Sequence, residues 1–293
     1  MLRVQDLTPD WILSGQVEDG AFEAAYAASK AWERALVKAA VAGMYAWLEP
    51  RGIRWAGTEQ ITGQGLRIYT AHSPRNWAVV HIPKACAAPS LIVASVIPLL
   101  AAGVWPVIVV LEENPAQQTT LMTLELSGVE TAFALSKTKL QDSLCYFAGL
   151  KESGPGIVVS IDTAPASIQG LERAEEEKNL LLGLPCPRQA GIWLEDEGID
   201  LQALAFAHPE LEFLLGSKHD HRQNLTGRWK QINGRWADFL GKRFDAAWVP
   251  AGRIQDALTA FSLVFGPGQE SLWIWPWYTT VLAGYTRLGF SKA

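Results

Sequence analysis

The chain has 293 residues, 49% of them apolar and 19% charged, which is enough to bury a large core in two lobes. A net charge of −5 and a pI near 5.6 argue against the basic surface that nucleic-acid phosphates select, so no nucleic-acid partner is expected. The opening run MLRVQDLTPDW has no apolar segment behind it, so no secretory leader is expected.

Residues 19–48 read as one long helix. Trp32, Leu36, Ala40, Met44 and Leu48 recur every four residues as one apolar stripe. Lys30, Arg34 and Lys38 make a basic row on another face, suited to solvent or to an anionic partner. Pro50, Gly52, Gly57, Gly63 and Gly65 then mark a turn-rich connection. Residues 1–66 are taken together as an N-terminal helical segment.

From Trp77 onward strand and helix signals alternate. Trp77–Ile82 reads as a strand. Residues 91–111 carry no charge and are long enough to cross a bilayer. Pro89-Ser90, Gly103 and Pro106 divide that stretch into a buried helix over 89–102, a turn and a buried strand over 107–111, so no membrane span is expected. Asn114-Pro115-Ala116-Gln117 reads as a helix start and Gly128 as its end. A strand over 129–135 and a helix from Ser136 to about Ala148 follow. Gly154-Pro155-Gly156 turns into a strand over 157–161, then a helix over 165–182. Farther on, 191–194, 211–215 and 246–249 read as strands, and 224–240 and 250–264 as helices.

Alternating strands and helices imply an α/β fold of two Rossmann-like, doubly wound lobes with mainly parallel sheets. The division expected is 67–155 for the first lobe, 156–265 for the second and 266–293 for an aromatic tail. Ligands in such sheets bind at the carboxyl ends of strands. The expected mouths are the turns after Ile82, Leu111, Ile161 and Val249. In the tail, Trp273, Trp275 and Trp277 alternate. They suit packing within the chain, a dimer contact or stacking on a ring-containing ligand.

Three widely spaced cysteines, Cys86, Cys145 and Cys186, form no C-x-x-C and no disulfide framework. That usage suits a reducing, cytoplasmic setting. Cys86 stands just before a helix start, where a thiol pKa can fall, or is a small buried residue. His219-Asp220-His221 offers two imidazoles on one side of an extended segment, or an exposed polar loop. There is no G-x-G-x-x-G after a strand, no P-loop, no G-x-S-x-G and no H-E-x-x-H.

Several short runs, read together, resemble histidinol dehydrogenase, within the wider aldehyde-dehydrogenase-like fold. They are Ile82-Pro83-Lys84-Ala85-Cys86-Ala87-Ala88-Pro89-Ser90, Ala102-Gly103-Val104, Asn114-Pro115, Leu126-Ser127-Gly128-Val129 and Gly154-Pro155-Gly156. The resemblance implies an NAD- or NADP-dependent dehydrogenase on a small polar molecule, assembled as a homodimer. It points to Pro83, Lys84, Ser90, Gly154 and Gly156 for cofactor binding. Lys84-Ala85 stands where the family has two glycines, which exchanges close backbone approach for a cation. Ala207-His208-Pro209-Glu210-Leu211-Glu212 is similar to the family's Ala-Pro-Glu-His-Leu-Glu in altered order. This makes Glu210 a candidate general base and His208 a candidate proton shuttle, or else the run is a polar turn. The family's zinc ligands include histidines that Gln189-Ala190-Gly191-Ile192 and the histidine-free stretch after His221 lack, so no family-type zinc is expected. A protein that keeps the fold only for ligand binding or dimer assembly is the alternative.

Overall fold

The computed structural model describes residues 2–49, 57–61, 66–112, 118–129, 131–150, 152–161, 179–195, 198–217, 228–232 and 234–292. The chain opens with two single turns, α1 (Val4–Leu7) and α2 (Asp10–Leu13), which bury Leu7 and Ile12. Two helices, α3 (Asp19–Ala28) and α4 (Ala31–Leu48), replace the one helix expected over 19–48. Ser29 and Lys30 between them are extended, with ψ of 150° and 152°. Local polar groups hold the break. Ser29 Oγ donates to Tyr26 O at 2.7 Å, Glu33 accepts from the Lys30 N–H at 2.9 Å, and Arg34 donates to the carbonyls of Tyr26 and Ser29. So Arg34, one of the basic row, closes the end of α3. Along α4 the stripe holds at Ala40, Met44 and Leu48, joined by Val37.

Two strands, β1 (Gly57–Ile61) and β2 (Leu66–Pro74), come next, within and just after the stretch read as a turn-rich connection. The first parallel sheet then begins with β3 (Trp77–Ile82), buried at every position. A 3-10 turn, Lys84–Cys86, leads to α5 (Pro89–Ala101), which is apolar all round and almost wholly buried. Gly103, at φ +77°, turns the chain out of α5 toward β4 (Val107–Glu112). α6 (Gln118–Leu126) ends before Gly128 at φ +77°, as expected. The helix start read at Asn114–Gln117 lies outside the described residues. β5 (Ala132–Leu135), α7 (Lys137–Ala148) and β6 (Gly156–Ile161) follow. β7 (Leu180–Leu184) is a strand where the expected helix over 165–182 should end, and residues 165–178 of that helix lie outside the described set.

These strands form one parallel sheet in the order β5-β4-β3-β6-β7. β6, expected to open the second lobe, pairs with β3, so the first sheet runs past the expected boundary at 155/156. Strand order reverses between β3 and β6. Unbroken apolar runs suit strands covered on both faces. Ala78, Val80 and Ile82 face a large core with α4 and α5. Trp77 and Val79 face a smaller one with Phe133 and Phe147.

The second sheet is built from β8 (Gln189–Leu194), β9 (Glu212–Ser217), with α8 (Leu201–Ala207) between them, and β10 (Arg228–Ile232). α9 (Trp236–Leu240), β11 (Ala246–Trp248), α10 (Ile254–Ala257) and β12 (Val264–Phe265) complete it. Its order is β10-β9-β8-β11-β12, and every pair is parallel. Two expected helices are corrected here. Within 224–240 the described residues form an edge strand and a five-residue helix, because the alternating RWKQI run pairs with β9. Within 250–264 the helix is only a 3-10 turn and α10, and Val264 is already in a strand.

The tail turns inward. Trp273, Trp275 and Tyr278 are 4%, 4% and 1% exposed, packed within their own chain, while Trp277 stays exposed. The chain then finishes as β13 (Gly284–Lys292), antiparallel to β2, giving a third sheet in the order β1-β2-β13. Among the described residues no helix is long and apolar enough to cross a membrane.

Candidate functional site

Parallel pairing fixes which sequence candidates meet. Pro83 and Lys84 follow the carboxyl end of β3, while Gly154 and Gly156 sit at its opposite end, where Gly156 is opposite Trp77. A six-residue strand spans about 17 Å, so these residues do not line one pocket. The two glycines answer to packing. A Cβ on Gly156 would lie 2.0 Å from the Trp77 ring, and one on Gly154 2.2 Å from the Asn76 amide. Gly156 N also donates to Asn179 Oδ1 at 2.9 Å.

Ser90, His208 and Glu210 do come together, where the first lobe meets the second. Ser90 is on the first turn of α5 and His208 ends α8. Ser90 Oγ is 2.8 Å from His208 Nδ1 and 2.8 Å from Ala207 O. His208 Nε2 is 3.0 Å from Glu270 O. A carbonyl only accepts, so Nε2 carries the hydrogen and, in the neutral ring, Nδ1 accepts from Ser90. Burial drives the His208 pKa down to about 3, so the ring is neutral at pH 7. Trp248 and Trp273 flank it, with ring centres 5.0 and 6.0 Å away.

Glu210 Oε1 lies 3.9 Å from His208 Nδ1, and its side chain is 7% exposed. Among the described residues no side chain hydrogen-bonds either carboxyl oxygen. Burial pushes the Glu210 pKa up to about 8, so the carboxyl holds its proton near neutral pH. A buried acid titrating there, beside an imidazole, has the makings of a proton store. The imidazole itself has both nitrogens engaged and no exposed surface.

The tail seals this junction. Tyr278 donates to Ser95 O of α5 at 2.8 Å, and Trp275 Nε1 donates to Pro185 O at 3.0 Å. Glu270 Oε1 accepts from the backbone of Asp200 and Gly268 at 3.2 and 3.1 Å. Around Pro83 and Ser90 the residues do not fit a dinucleotide pyrophosphate. Pro89 has no N–H to offer, and Ser90 and Leu91 are 1% and 0% exposed. Lys84 is exposed on its 3-10 turn.

Cys86 and Cys186 are joined by a disulfide bond, with Cα atoms 6.2 Å apart. This corrects the expectation of unpaired thiols and removes the cysteine argument for a reducing compartment. The pairing was hidden by a separation of 100 residues. Two further groups at strand ends carry no motif in the sequence. His81 Nδ1 is 2.7 Å from Ser160 Oγ, near the point where strand order reverses in the first sheet. Burial lowers its pKa to about 4. Arg253 Nη2 pairs with Glu195 Oε1 at 2.8 Å beyond β8 and β11. Among the described residues no three metal-binding side chains cluster, and His219-Asp220-His221 lies outside them.

No family model matches the chain, and none of the curated proteins does. Solved structures match it by fold. Histidinol dehydrogenase from Elizabethkingia anophelis superposes with a TM-score of 0.58 at 10% identity, over 95% of this chain and 77% of that one. Succinate-semialdehyde dehydrogenase from Burkholderia pseudomallei gives 0.51 at 13%, over 93% and 84%. An NAD-dependent benzaldehyde dehydrogenase from Corynebacterium glutamicum gives 0.50 at 12%, over 94% and 88%. The two parallel sheets, the small antiparallel sheet and these likenesses together make this an aldehyde-dehydrogenase-like α/β fold.

Proposed function

We propose that this protein is a divergent relative of histidinol dehydrogenase that keeps the fold for ligand binding or homodimer assembly and has lost the zinc-dependent parental reaction. One observation carries the reading. His208, the candidate proton shuttle, is 0% exposed and has both ring nitrogens engaged by Ser90 and Glu270. A general acid or base must reach the proton it moves. Here the imidazole joins two lobes instead.

Assembly has its own support. The third sheet exposes Ile61, Leu66, Leu288 and Phe290, the last two at 60% and 63%. An apolar, open-edged sheet of this kind suits a second copy of the chain. The aromatic tail, packed into its own chain, is not the surface that would serve.

Glu210 favours a second reading. A buried carboxyl with a pKa near 8 is the kind of group enzymes use. An oxidoreductase acting on a small polar substrate with NAD or NADP would use it as the base. Two structural neighbours are described as NAD-dependent and NADP dependent, so these are the cofactors to test. Calorimetric titration of each into the purified protein, without reductant, separates the readings. We expect no saturable binding up to millimolar concentrations. Saturation in the micromolar range would overturn the sealed-junction reading and restore the dehydrogenase one.

A further inference from the structure

We propose that the Cys86–Cys186 disulfide is a redox-modification site, opened by small dithiols, that covalently ties the turn after β3 to the link between the two sheets. Cys86 ends the 3-10 turn beyond β3 in the first sheet and is 1% exposed. Cys186 lies in the link between β7, which ends at Leu184 in the first sheet, and β8, which opens the second sheet at Gln189, and is half-buried between Pro185 and Pro187. The bond therefore pins the link that leads into the second sheet to the turn just before α5, whose first turn carries Ser90. An apolar core shared by both sheets also holds the junction, with hydrogen bonds from Ser90 to the end of α8, from Trp275 to Pro185 O and from Tyr278 to Ser95 O. Each such bond is individually weak compared with a covalent link.

The half-buried position of Cys186 makes its sulfur the one a reductant reaches. A dithiol thiolate attacks Cys186 Sγ and forms a mixed disulfide. The Cys86–Cys186 bond breaks, and Cys86 leaves as a thiolate and takes a proton. The second thiol of the reductant then attacks the mixed disulfide and closes a ring. Cys186 departs as a thiolate and is protonated in turn. The protein gains two electrons and two protons, and the dithiol is oxidised. Reduction frees the Lys84–Cys86 turn from the Pro185–Pro187 loop and loosens the junction around His208.

Thiol counting and amide exchange test this without reference to any cofactor. Protein denatured without reductant and treated with N-ethylmaleimide should gain one adduct, on Cys145, and three after reduction. Dithiothreitol added to the folded protein should make the two paired thiols reactive without unfolding it. Exchange should then quicken in the segments around Cys86, Ser90 and Cys186, while β4 stays protected. The Cys86→Ser/Cys186→Ser double variant should show the same faster exchange with no reductant. Three adducts before reduction would overturn the proposal. So would a bond that yields to dithiothreitol only in denaturant, or exchange that is unchanged when the bond is reduced. NAD binding to the oxidised protein would leave this proposal standing and sink only the sealed-junction reading.

Discussion

Ser90 Oγ and His208 Nδ1 meet at 2.8 Å across the junction of the two lobes, 118 residues apart in the chain. The same hydroxyl lies 2.8 Å from Ala207 O, so one proton faces two buried acceptors. Ser90→Ala would leave both without a donor, in a place water does not reach. Orphaning a buried acceptor costs about 1–3 kcal/mol, so the variant should lose stability on that scale. Urea unfolding with the disulfide intact measures it. A loss within error of zero would mean that the junction is held by other contacts and that the Ser90–His208 bond is incidental.

Glu210 and His208 give stability opposite slopes with pH. The folded Glu210 pKa is raised from 4.5 to about 8, so between these values the folded state keeps a proton that the unfolded state has lost. Stability from this group is complete below about pH 4.5 and falls as pH rises through 8. His208 is lowered from 6.5 to about 3, so its contribution rises with pH over that window. Burial lowers His81 from 6.5 to about 4, with the same sign. Above about pH 6.5 only Glu210 of these three still titrates. Stability should therefore decline between about pH 6.5 and 8, with a slope approaching 1.4 kcal/mol per unit. Glu210→Gln should flatten that decline, and urea unfolding at three pH values in the window reads it. Equal slopes in both proteins would show that Glu210 is ionised in the fold.

Much of the first lobe was legible, and for a definite reason. β3, β4 and β6 are buried on both faces, so their apolar runs are unbroken, and Gly or Pro residues bound them. α5 announced itself through Pro89 and Gly103. β10 did not, because RWKQI is an edge strand whose side chains are half-buried or exposed, and propensity alone cannot place it. β13 was missed for a similar reason: its register is set by β2, more than two hundred residues earlier. The site was legible only in parts. Ser90, His208 and Glu210 were named from short motifs and do converge. Gly154 and Gly156 came from the same resemblance, but parallel pairing puts them at the wrong end of β3. The disulfide had no local signal at all.

The third sheet should hold two copies together. β13 is nine residues long and carries Leu288 and Phe290 on one face at 60% and 63% exposure. Leu288→Asp/Phe290→Asp replaces that apolar contact with charge at positions already in solvent, so the monomer itself should fold. Light scattering after size exclusion should show a dimer for the parent and a monomer for the variant. A parent that runs as a monomer at high micromolar concentration would remove this surface from the assembly reading.

Gly156 and Gly103 offer a controlled comparison of crowding with backbone strain. A Cβ on Gly156 would sit 2.0–2.4 Å from three atoms of the Trp77 indole, and Trp77 is 0% exposed, so the ring has nowhere to retreat. Forcing extra volume into a packed core costs about 1–3 kcal/mol, occasionally more, and this site belongs at the upper end. Gly103 is the opposite case. Nothing lies within 4 Å of its would-be Cβ, but its φ is +77°. Gly103→Ala pays only the left-handed penalty of about 1–2 kcal/mol. Gly156→Ala should therefore be the more damaging of the two, with its loss accompanied by altered Trp77 packing in near-ultraviolet circular dichroism. If Gly103→Ala proved the worse, Trp77 would have to move far more easily than its burial allows, and the packing account of Gly156 would fail.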